Sequence, residues 1–282
     1  FQSDAVNRTS EEHVYPGGKG NNVAVIASNL GMKSRALGFK AGFTGAAMEQ
    51  MLQEFGCDTD FIALEEGVTR INVKVKSEDE FEINGQGPRI PEEKIRQLYE
   101  RLDALGSGDV LVLSGSIRNT LPDDMYERIM ERLAGTDVRI GVDATKDLLM
   151  NVLKYHPFLI KPNNHELGEM FGVTLKSDEE IGEYARKLQK MGARNVLVSM
   201  AGDGAILVAE DGSVLKQLPP AGEVVNSVGA GDSMVAGFLA GYLKTGSYEE
   251  ALKLGTAAGS ATAFTSWLAD ADQIRETYKG LA

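Results

Sequence analysis

The run Asn226-Ser227-Val228-Gly229-Ala230-Gly231-Asp232-Ser233 sets two glycines and a carboxylate where an extended stretch, residues 223–225, gives way to a helical pattern. Met234, Val235, Phe238, Leu239 and Tyr242 recur at helical spacing, so the turn opens a helix. Glycines let the main chain approach a ligand closely, and the unpaired N–H groups of a first helical turn, with roughly half a positive charge, favour an anion. Asp232 stands at the same point; an ordinary aspartate, with a pKa of about 3.9, is ionised at neutral pH and able to take a proton from an attacking hydroxyl. An anion cradle beside a base suits phosphoryl transfer to an alcohol, with Gly229, Ala230, Gly231 and Asp232 as its parts. The same residues also suit a helix that Asp232 merely caps.

Other nucleotide signatures fail. No Gly-Lys-Ser/Thr string follows a four-residue spacer, so a Walker loop is absent from the sequence. The dinucleotide fingerprint needs a third glycine where Met234 follows Gly229 and Gly231, and where Leu207 follows Gly202 and Gly204. A Rossmann dehydrogenase is disfavoured.

Three further segments carry usable chemistry. Pro16-Gly17-Gly18-Lys19-Gly20-Asn21-Asn22 is a second glycine turn feeding a helix, with Lys19 to pair with a substrate phosphate and Asn22 to bond a sugar hydroxyl beside Gly18; it also reads as a hinge. Arg70 is a natural second phosphate ligand, because a guanidinium grips two oxygens, although most arginines are solvated surface groups. Lys161-Pro162-Asn163-Asn164-His165-Glu166 follows an apolar strand, so it lies at a carboxyl strand end, where open α/β sheets bind ligands. Asn163 and Glu166 suit hydrated Mg2+, which keeps several waters and takes one or two carboxylates; they equally suit an N-cap with its partner three residues on. His165 has no companion histidine at ligand spacing, and no protein-bound zinc is expected. Ser199-Met200-Ala201-Gly202-Asp203-Gly204 ends another apolar strand and reads as the wall of a nucleotide pocket or as a plain tight turn. The small residues at 257–263 suit close packing, of helices or against a flat ring, and helix packing is the simpler reading.

These segments need a scaffold, and the 282-residue chain, 43% hydrophobic, is long enough for one α/β domain with a small appendage. Short apolar runs at 111–113, 140–142, 158–160 and 196–198 read as buried parallel strands. Between and around them lie amphipathic helices at 91–105, 20–30 and 46–55. A doubly wound, Rossmann-like αβα sandwich with a mainly parallel sheet is expected. Residues 70–76 instead alternate strictly between apolar and polar, and 81–83 follow after an acidic turn at 77–80, which predicts a half-exposed hairpin. With the extended piece around 13–15 it would make an antiparallel lid that excludes water from the site; an ordinary sheet edge is the simpler alternative. The expectation is one domain over 1–282, with lid segments at about 6–16 and 60–86. A first strand or targeting segment lost before Phe1 is also expected.

The formal charge is −12, from 29 basic and 41 acidic residues with no basic run, so neither nucleic acid nor an anionic membrane is an expected partner. The single cysteine, Cys57, excludes an internal disulfide and reads as a packing residue in a reducing compartment. No signal peptide and no apolar stretch near the roughly 18 residues of a membrane span is visible, which predicts a cytoplasmic location.

Taken in order from Gly17 to Asp232, the four segments resemble the ribokinase-like sugar kinases, or phosphofructokinase B family. Thr69-Arg70-Ile71-Asn72-Val73-Lys74-Val75, the string IKPNNHEL at 160–167 and NSVGAGDSMVAG at 226–237 are most similar to its bacterial 1-phosphofructokinase branch, and next to its tagatose-6-phosphate kinases. The resemblance implies ATP with Mg2+ as donor and Asp232 as base. It implies a nucleotide site drawing on Ser199, Gly202, Gly204, Val228, Gly229, Gly231 and Asp232, and a β lid that often serves as a homodimer interface. The implied reaction phosphorylates fructose 1-phosphate at its C6 hydroxyl; a tagatose-6-phosphate kinase and a non-catalytic sugar-phosphate sensor are the alternatives. Lys40, Arg118, Ala144 and Lys146 depart from the family's usual residues, Lys146 standing where relatives usually carry glycine.

Overall fold

A computed structural model describes residues 4–75, 81–117 and 121–281; Lys76, the acidic turn at 77–80 and Arg118 lie outside them. In chain order the first elements are α1 (Lys19–Asn29), β1 (Arg35–Ala41), α2 (Gly42–Glu54), β2 (Asp58–Leu64), β3 (Asn72–Val75), β4 (Phe81–Asn84) and α3 (Glu92–Leu102). Next come β5 (Val110–Ser114), α4 (Met125–Arg132), β6 (Arg139–Asp143), α5 (Lys146–Val152), β7 (Leu159–Ile160), α6 (Asn164–Phe171), α7 (Asp178–Lys190) and β8 (Asn195–Ser199). The chain closes with β9 (Ala205–Val208), β10 (Val214–Gln217), α8 (Ala230–Thr245), α9 (Tyr248–Ala263) and α10 (Ala271–Lys279).

The main sheet has the order β10-β9-β8-β7-β6-β5. Its four strands β5 to β8 run parallel and are apolar on both faces, as strands covered by helices on both sides must be. One face packs Leu98, Ile129, Leu149, Leu167 and Leu188, from α3 to α7, into a single core. The other packs Val25 and Ile26 of α1, Leu52 of α2, Phe238 of α8, Ala258 of α9 and Ile274 of α10. The sandwich expected from the alternation is therefore present.

The small-residue run at 257–263 serves helix packing. A methyl group on Gly237 of α8 would come within 2.6 Å of the Leu254 carbonyl and 2.9 Å of Ala258 of α9. Only a bare backbone lets the two helices approach so closely.

Several edges differ from expectation. β9 and β10 run antiparallel, the short connections after β8 leaving no length for a helical crossover. β1 and β2 make a separate two-stranded parallel sheet, so residues 60–64 belong to a parallel pair with Ile62 buried, and not to the lid. The antiparallel sheet is the β3–β4 hairpin alone, with Val73 opposite Ile83. Residues 13–15 join no strand; Tyr15 stacks instead on Trp267, ring centroids 4.9 Å apart at 8°. Aromatic stacking holds that extended piece where a third lid strand was expected.

Candidate active site

Four parallel strands deliver their carboxyl ends to one rim: Ser114 at the end of β5 with Gly115 after it, Asp143 at the end of β6, Lys161 after β7 and Ser199 at the end of β8. α1 and α8 begin at the same rim and touch along their lengths. The rim is where an open α/β sheet presents its ligand site.

Asp232 lies in the first turn of α8 and is 5% exposed. It does not cap the helix; its Oδ2 accepts from Asn22 Nδ2 at 2.8 Å. The N-cap position is Gly229, held at φ 84°, a left-handed conformation that a residue with a Cβ adopts only under strain. Residues 227–229 border solvent, so the turn is accessible while its carboxylate is sheltered. Burial pushes the Asp232 carboxyl up to about 6, the Asn22 bond opposes that push, and the neighbouring Asp143 charge adds to it.

Asp143, 3% exposed, is shared by two ammonium groups. Lys19 Nζ meets its Oδ2 at 3.0 Å and Lys161 Nζ meets its Oδ1 at 3.4 Å. Burial opposes its ionisation, but the two cations, Lys161 first, outweigh burial and hold the carboxyl below its ordinary range. Lys19 is correspondingly held above its usual value: burial works against the charge, and the Asp143 pair overcomes it, with Asp232 and Glu166 contributing. Gly115 N–H donates to the Asp143 carbonyl at 3.0 Å, and the Tyr126 hydroxyl donates to the Gly115 carbonyl at 3.2 Å, which buttresses the β5 end against Lys19.

Asn22 is therefore bonded to Asp232, and Lys19, paired with Asp143, lies within electrostatic reach of the same carboxylate. Gly18 precedes α1 and its carbonyl accepts from Asn22 N at 2.9 Å. Asn163 and Glu166 form a reciprocal capping box at the start of α6, each side chain bonding the other's backbone N–H at 2.8 Å. The capping reading of this pair is thus realised, and Glu166 still faces the cluster closely enough to raise the pKa of Lys19. Ser199 bridges to Asn163, and its N–H donates to the Pro162 carbonyl at 3.2 Å, which sets the turn through Gly202 and Gly204 beside the capping box. Val228 is exposed at the edge of the Gly229–Asp232 turn. Arg70 is half-buried before β3, against Gly85 and Gly87. Lys146 has φ 52°, the left-handed region that a glycine enters without strain.

Sequence reading singled out neither Asp143 nor Lys161 as a functional group. Their partners are distant, Lys19 lying 124 residues from Asp143. The one available signal was that both stand at the carboxyl ends of apolar runs. The assembled rim holds a sheltered base, a helix start rich in free N–H groups and two cations around one carboxylate: the equipment to deprotonate an alcohol and stabilise a phosphoryl group in flight.

The chain belongs to the pfkB family of carbohydrate kinases, whose family model matches residues 1–271. It is 46% identical to a 1-phosphofructokinase of Bacillus subtilis over 276 residues, covering 98% of this chain and 90% of the relative. It is 38% identical to a D-tagatose-1-phosphate kinase of Bacillus licheniformis, covering 97% and 90% of the two chains. Among solved structures it superimposes on Escherichia coli phosphofructokinase-2 in complex with fructose-6-phosphate with a TM-score of 0.90 at 26% identity, covering 99% of this chain and 92% of the other.

Proposed function

We propose that this ATP-dependent sugar-phosphate kinase phosphorylates fructose 1-phosphate at its C6 hydroxyl, giving fructose 1,6-bisphosphate and ADP. The observation that carries the reading is the Asp232 carboxylate, oriented by Asn22 at the mouth of α8 and ringed by Lys19, Lys161 and Asp143. Asp232 takes the C6 hydroxyl proton as the oxygen bonds to the γ-phosphorus and the bond to the β-phosphate oxygen breaks. The amides of Gly229 to Asp232 hold charge on the moving group. Lys19 and Arg70 anchor the phosphate already on the sugar, and Ser199, Gly202, Gly204 and Val228 border the nucleotide.

Among the described residues no three His, Cys, Asp or Glu side chains gather around a metal position. Glu166 gives one oxygen to the helix cap, which leaves its second carboxylate oxygen outside the cap. That sparse donor set fits a magnesium ion that keeps most of its water. Asn163 and Glu166 would hold it through water, and it would neutralise charge on the nucleotide phosphates.

The hairpin leaves Ile71, Val73 and Ile83 on the surface, at 57%, 45% and 60% exposure. An apolar face of this kind supports a homodimer through the hairpin, tested by the mass in solution of the protein and of an Ile83→Asp variant.

The tagatose kinase among the relatives is named for the 1-phosphate, not the 6-phosphate. D-tagatose differs from D-fructose only at C4, so a 1-phosphate substrate of either configuration would offer the same C6 hydroxyl and the same anchor. The test is kcat/KM, read as ADP release, on fructose 1-phosphate, tagatose 1-phosphate, tagatose 6-phosphate and fructose 6-phosphate. Fructose 1-phosphate should lead by at least about tenfold, a difference of about 1.4 kcal/mol in transition-state binding. Preference for another sugar would overturn the assignment, and no ADP release with any of the four would leave a sensor.

A further inference from the structure

We propose that Thr69 is a positioning residue for sugar-phosphate capture: it clasps the base of the β3–β4 hairpin to the junction of β1 and α2, and so fixes Arg70 in register with Lys19. This rests on the reading of Arg70 and Lys19 as the anchors of the substrate phosphate, but not on which sugar is phosphorylated.

An arginine grips a phosphate through a fork at the end of a long, flexible stem, so its precision depends on where its backbone is held. The hairpin alone is a poor holder. β3 and β4 form a two-stranded sheet of their own, and a hairpin of that size is marginal in water without further packing. On the other side, residues 65–68, which lead from β2 to Thr69, are exposed. Attachment of Arg70 to the body of the protein therefore falls to the residue before it.

Thr69 makes that attachment with three hydrogen bonds. Its N–H donates to the Ala41 carbonyl at 2.9 Å, its Oγ1 accepts from the Ala41 N–H at 2.9 Å, and its carbonyl accepts from Thr44 Oγ1 at 2.7 Å. One threonine thus engages both main-chain polar groups of Ala41, the last residue of β1, and its hydroxyl oxygen stands in for the carbonyl that a neighbouring strand would offer. The side chain is gripped closely as well. Gly45 of α2 is not among the glycines with positive φ, yet a methyl group there would come within 2.7 Å of Thr69 Oγ1 and 3.0 Å of Lys40 Cβ. Glycine at that position serves the approach of the threonine, not the conformation of the helix. An ion pair between Lys40 of β1 and Glu49 of α2 braces the same junction. On the return side of the hairpin, Gly85 N–H donates to the Ile71 carbonyl at 3.1 Å, and a methyl group on Gly85 would come within 3.3 Å of Arg70 Cβ, so the arginine stem starts from a closed seat.

The clasp reaches the second cation through α2. Thr44 and Met48 lie four residues apart, on one face of that helix, and Met48 Sδ accepts from Asn21 Nδ2 at 3.5 Å. The same Asn21 amide donates to the Gly17 carbonyl at 2.9 Å, within the turn that presents Lys19. One helix therefore holds the base of Arg70 at its first turn and the Lys19 turn one turn further on. Two cations that share a phosphate gain from such a common frame, because a misplacement of about 1 Å is enough to weaken a positioned contact severely.

The decisive experiment compares Thr69→Val, which keeps the shape of the side chain and removes Oγ1, with Thr69→Ser, which keeps the oxygen. On whichever sugar phosphate the wild type turns over best, Thr69→Val should raise the sugar KM about tenfold with kcat and the ATP KM within about threefold, the pattern of lost binding without lost chemistry. Thr69→Ser should bring the sugar KM back to within about threefold of wild type. Arg70→Ala should raise the sugar KM at least as far as Thr69→Val does, and adding Thr69→Val to it should change that KM less than about twofold, because nothing is left to position. Thermal melting gives a readout without turnover: the sugar phosphate alone should raise the Tm of wild type and Thr69→Ser alike, and that of Thr69→Val by less. If Thr69→Val does not fold, Thr44→Val, which removes the bond to the Thr69 carbonyl, is read for the same pattern, alone and combined with Arg70→Ala. A Thr69→Val sugar KM within about twofold of wild type, an equal rise in the ATP KM, a Thr69→Ser as impaired as Thr69→Val, or an undiminished effect of Thr69→Val on Arg70→Ala would each overturn the proposal. An unchanged sugar KM in Arg70→Ala would sink the anchor reading and this proposal together, and leave the kinase reading standing. A wild type that phosphorylates none of the four sugars but is stabilised by one of them would sink the substrate reading, and the melting comparison then decides the role of Thr69; stabilisation by none would overturn both.

Discussion

Asn22 Nδ2 donates to Asp232 Oδ2 at 2.8 Å, a bond between residues 210 apart in sequence that ties the two glycine turns together. Asn22 sits one turn into α1, behind Lys19, so one helix carries both the cation proposed to anchor the substrate and the amide that orients Asp232. The bond favours the charged carboxylate and counteracts part of the burial that disfavours it.

The pH dependence of kcat follows. With its carboxyl at about 6, Asp232 is protonated on the acid side of that value and unable to accept the hydroxyl proton. The acid limb of the kcat profile should therefore have its midpoint near 6 and not near the ordinary aspartate value of about 4. Asn22→Leu removes an interaction that lowers the pKa, so the midpoint should move to higher pH. A midpoint that stays in place or falls would mean that Asn22 does not set the charge of the base.

Asp232→Asn should separate activity from stability. The folded-state pKa is raised, from 3.8 to about 6, so burying this carboxylate costs stability above about pH 6, and the cost disappears as pH falls below about 4. Removing the charge should leave melting at neutral pH unchanged or higher, by up to on the order of 2 kcal/mol, with the difference closing in acid. Turnover should fall on the order of 10²- to 10⁴-fold. Thermal melts at neutral and acid pH, with kcat alongside, check both; a less stable variant at neutral pH, or one with full turnover, contradicts the assignment.

The Gly229–Asp232 turn and helices α1, α2, α3, α6 and α8 were legible in the sequence because their signals are local: glycine spacing before an amphipathic run, and an Asn-x-x-Glu pair that is a capping box whatever else it does. Strands β5 to β8 were legible as apolar runs for the same reason. The Asp143–Lys161 pair was not. A single carboxylate and a single ammonium at two strand ends acquire meaning only when parallel pairing brings β6 beside β7. The alternation at 70–76 marked the hairpin correctly, but nothing in the pattern at 13–15 distinguished a strand from a segment held by stacking on Trp267.

The two glycines of the turn should respond differently to alanine. Gly229→Ala places a Cβ at φ 84° and 2.7 Å from a Leu268 methyl, so strain and overlap should lower stability by on the order of 1–3 kcal/mol and be visible as a reduced Tm. Gly231→Ala meets the movable end of Lys161 at 3.1 Å with no φ penalty, so Tm should change little while kcat falls. Equal effects of the two substitutions on Tm would show that Gly231 also serves the backbone.

The two residues of the α6 cap can be separated in the same manner. Asn163→Ala removes the acceptor for the Glu166 N–H and should cost about 1 kcal/mol of stability. Glu166→Gln keeps an oxygen to accept from the Asn163 N–H, so Tm should hold, but the charge proposed to serve the magnesium is gone and the magnesium concentration for half-maximal rate should rise several-fold. An unchanged magnesium requirement would confine Glu166 to capping.

Trp267 is the sole tryptophan in the chain, and it lies between the two glycine turns. Its indole stacks on Tyr15 and touches Phe55 at 4.7 Å between centroids, and Tyr15 immediately precedes the Pro16-Gly17-Gly18-Lys19 turn. On its other side Trp267 adjoins Leu268, which packs against Gly229 at the start of α8. Capture of a sugar phosphate by Lys19 pulls on one end of the stack, and an anion at Gly229 presses on the other. Fluorescence of the wild type should therefore change saturably with fructose 1-phosphate, with a midpoint that follows KM. Tyr15→Leu, which bares one face of the indole to water, should shift the emission to longer wavelength before any ligand is added and reduce the response to substrate. Normal turnover with an emission spectrum indifferent to saturating substrate would mean that the stack is a fixed strut, uncoupled from both turns.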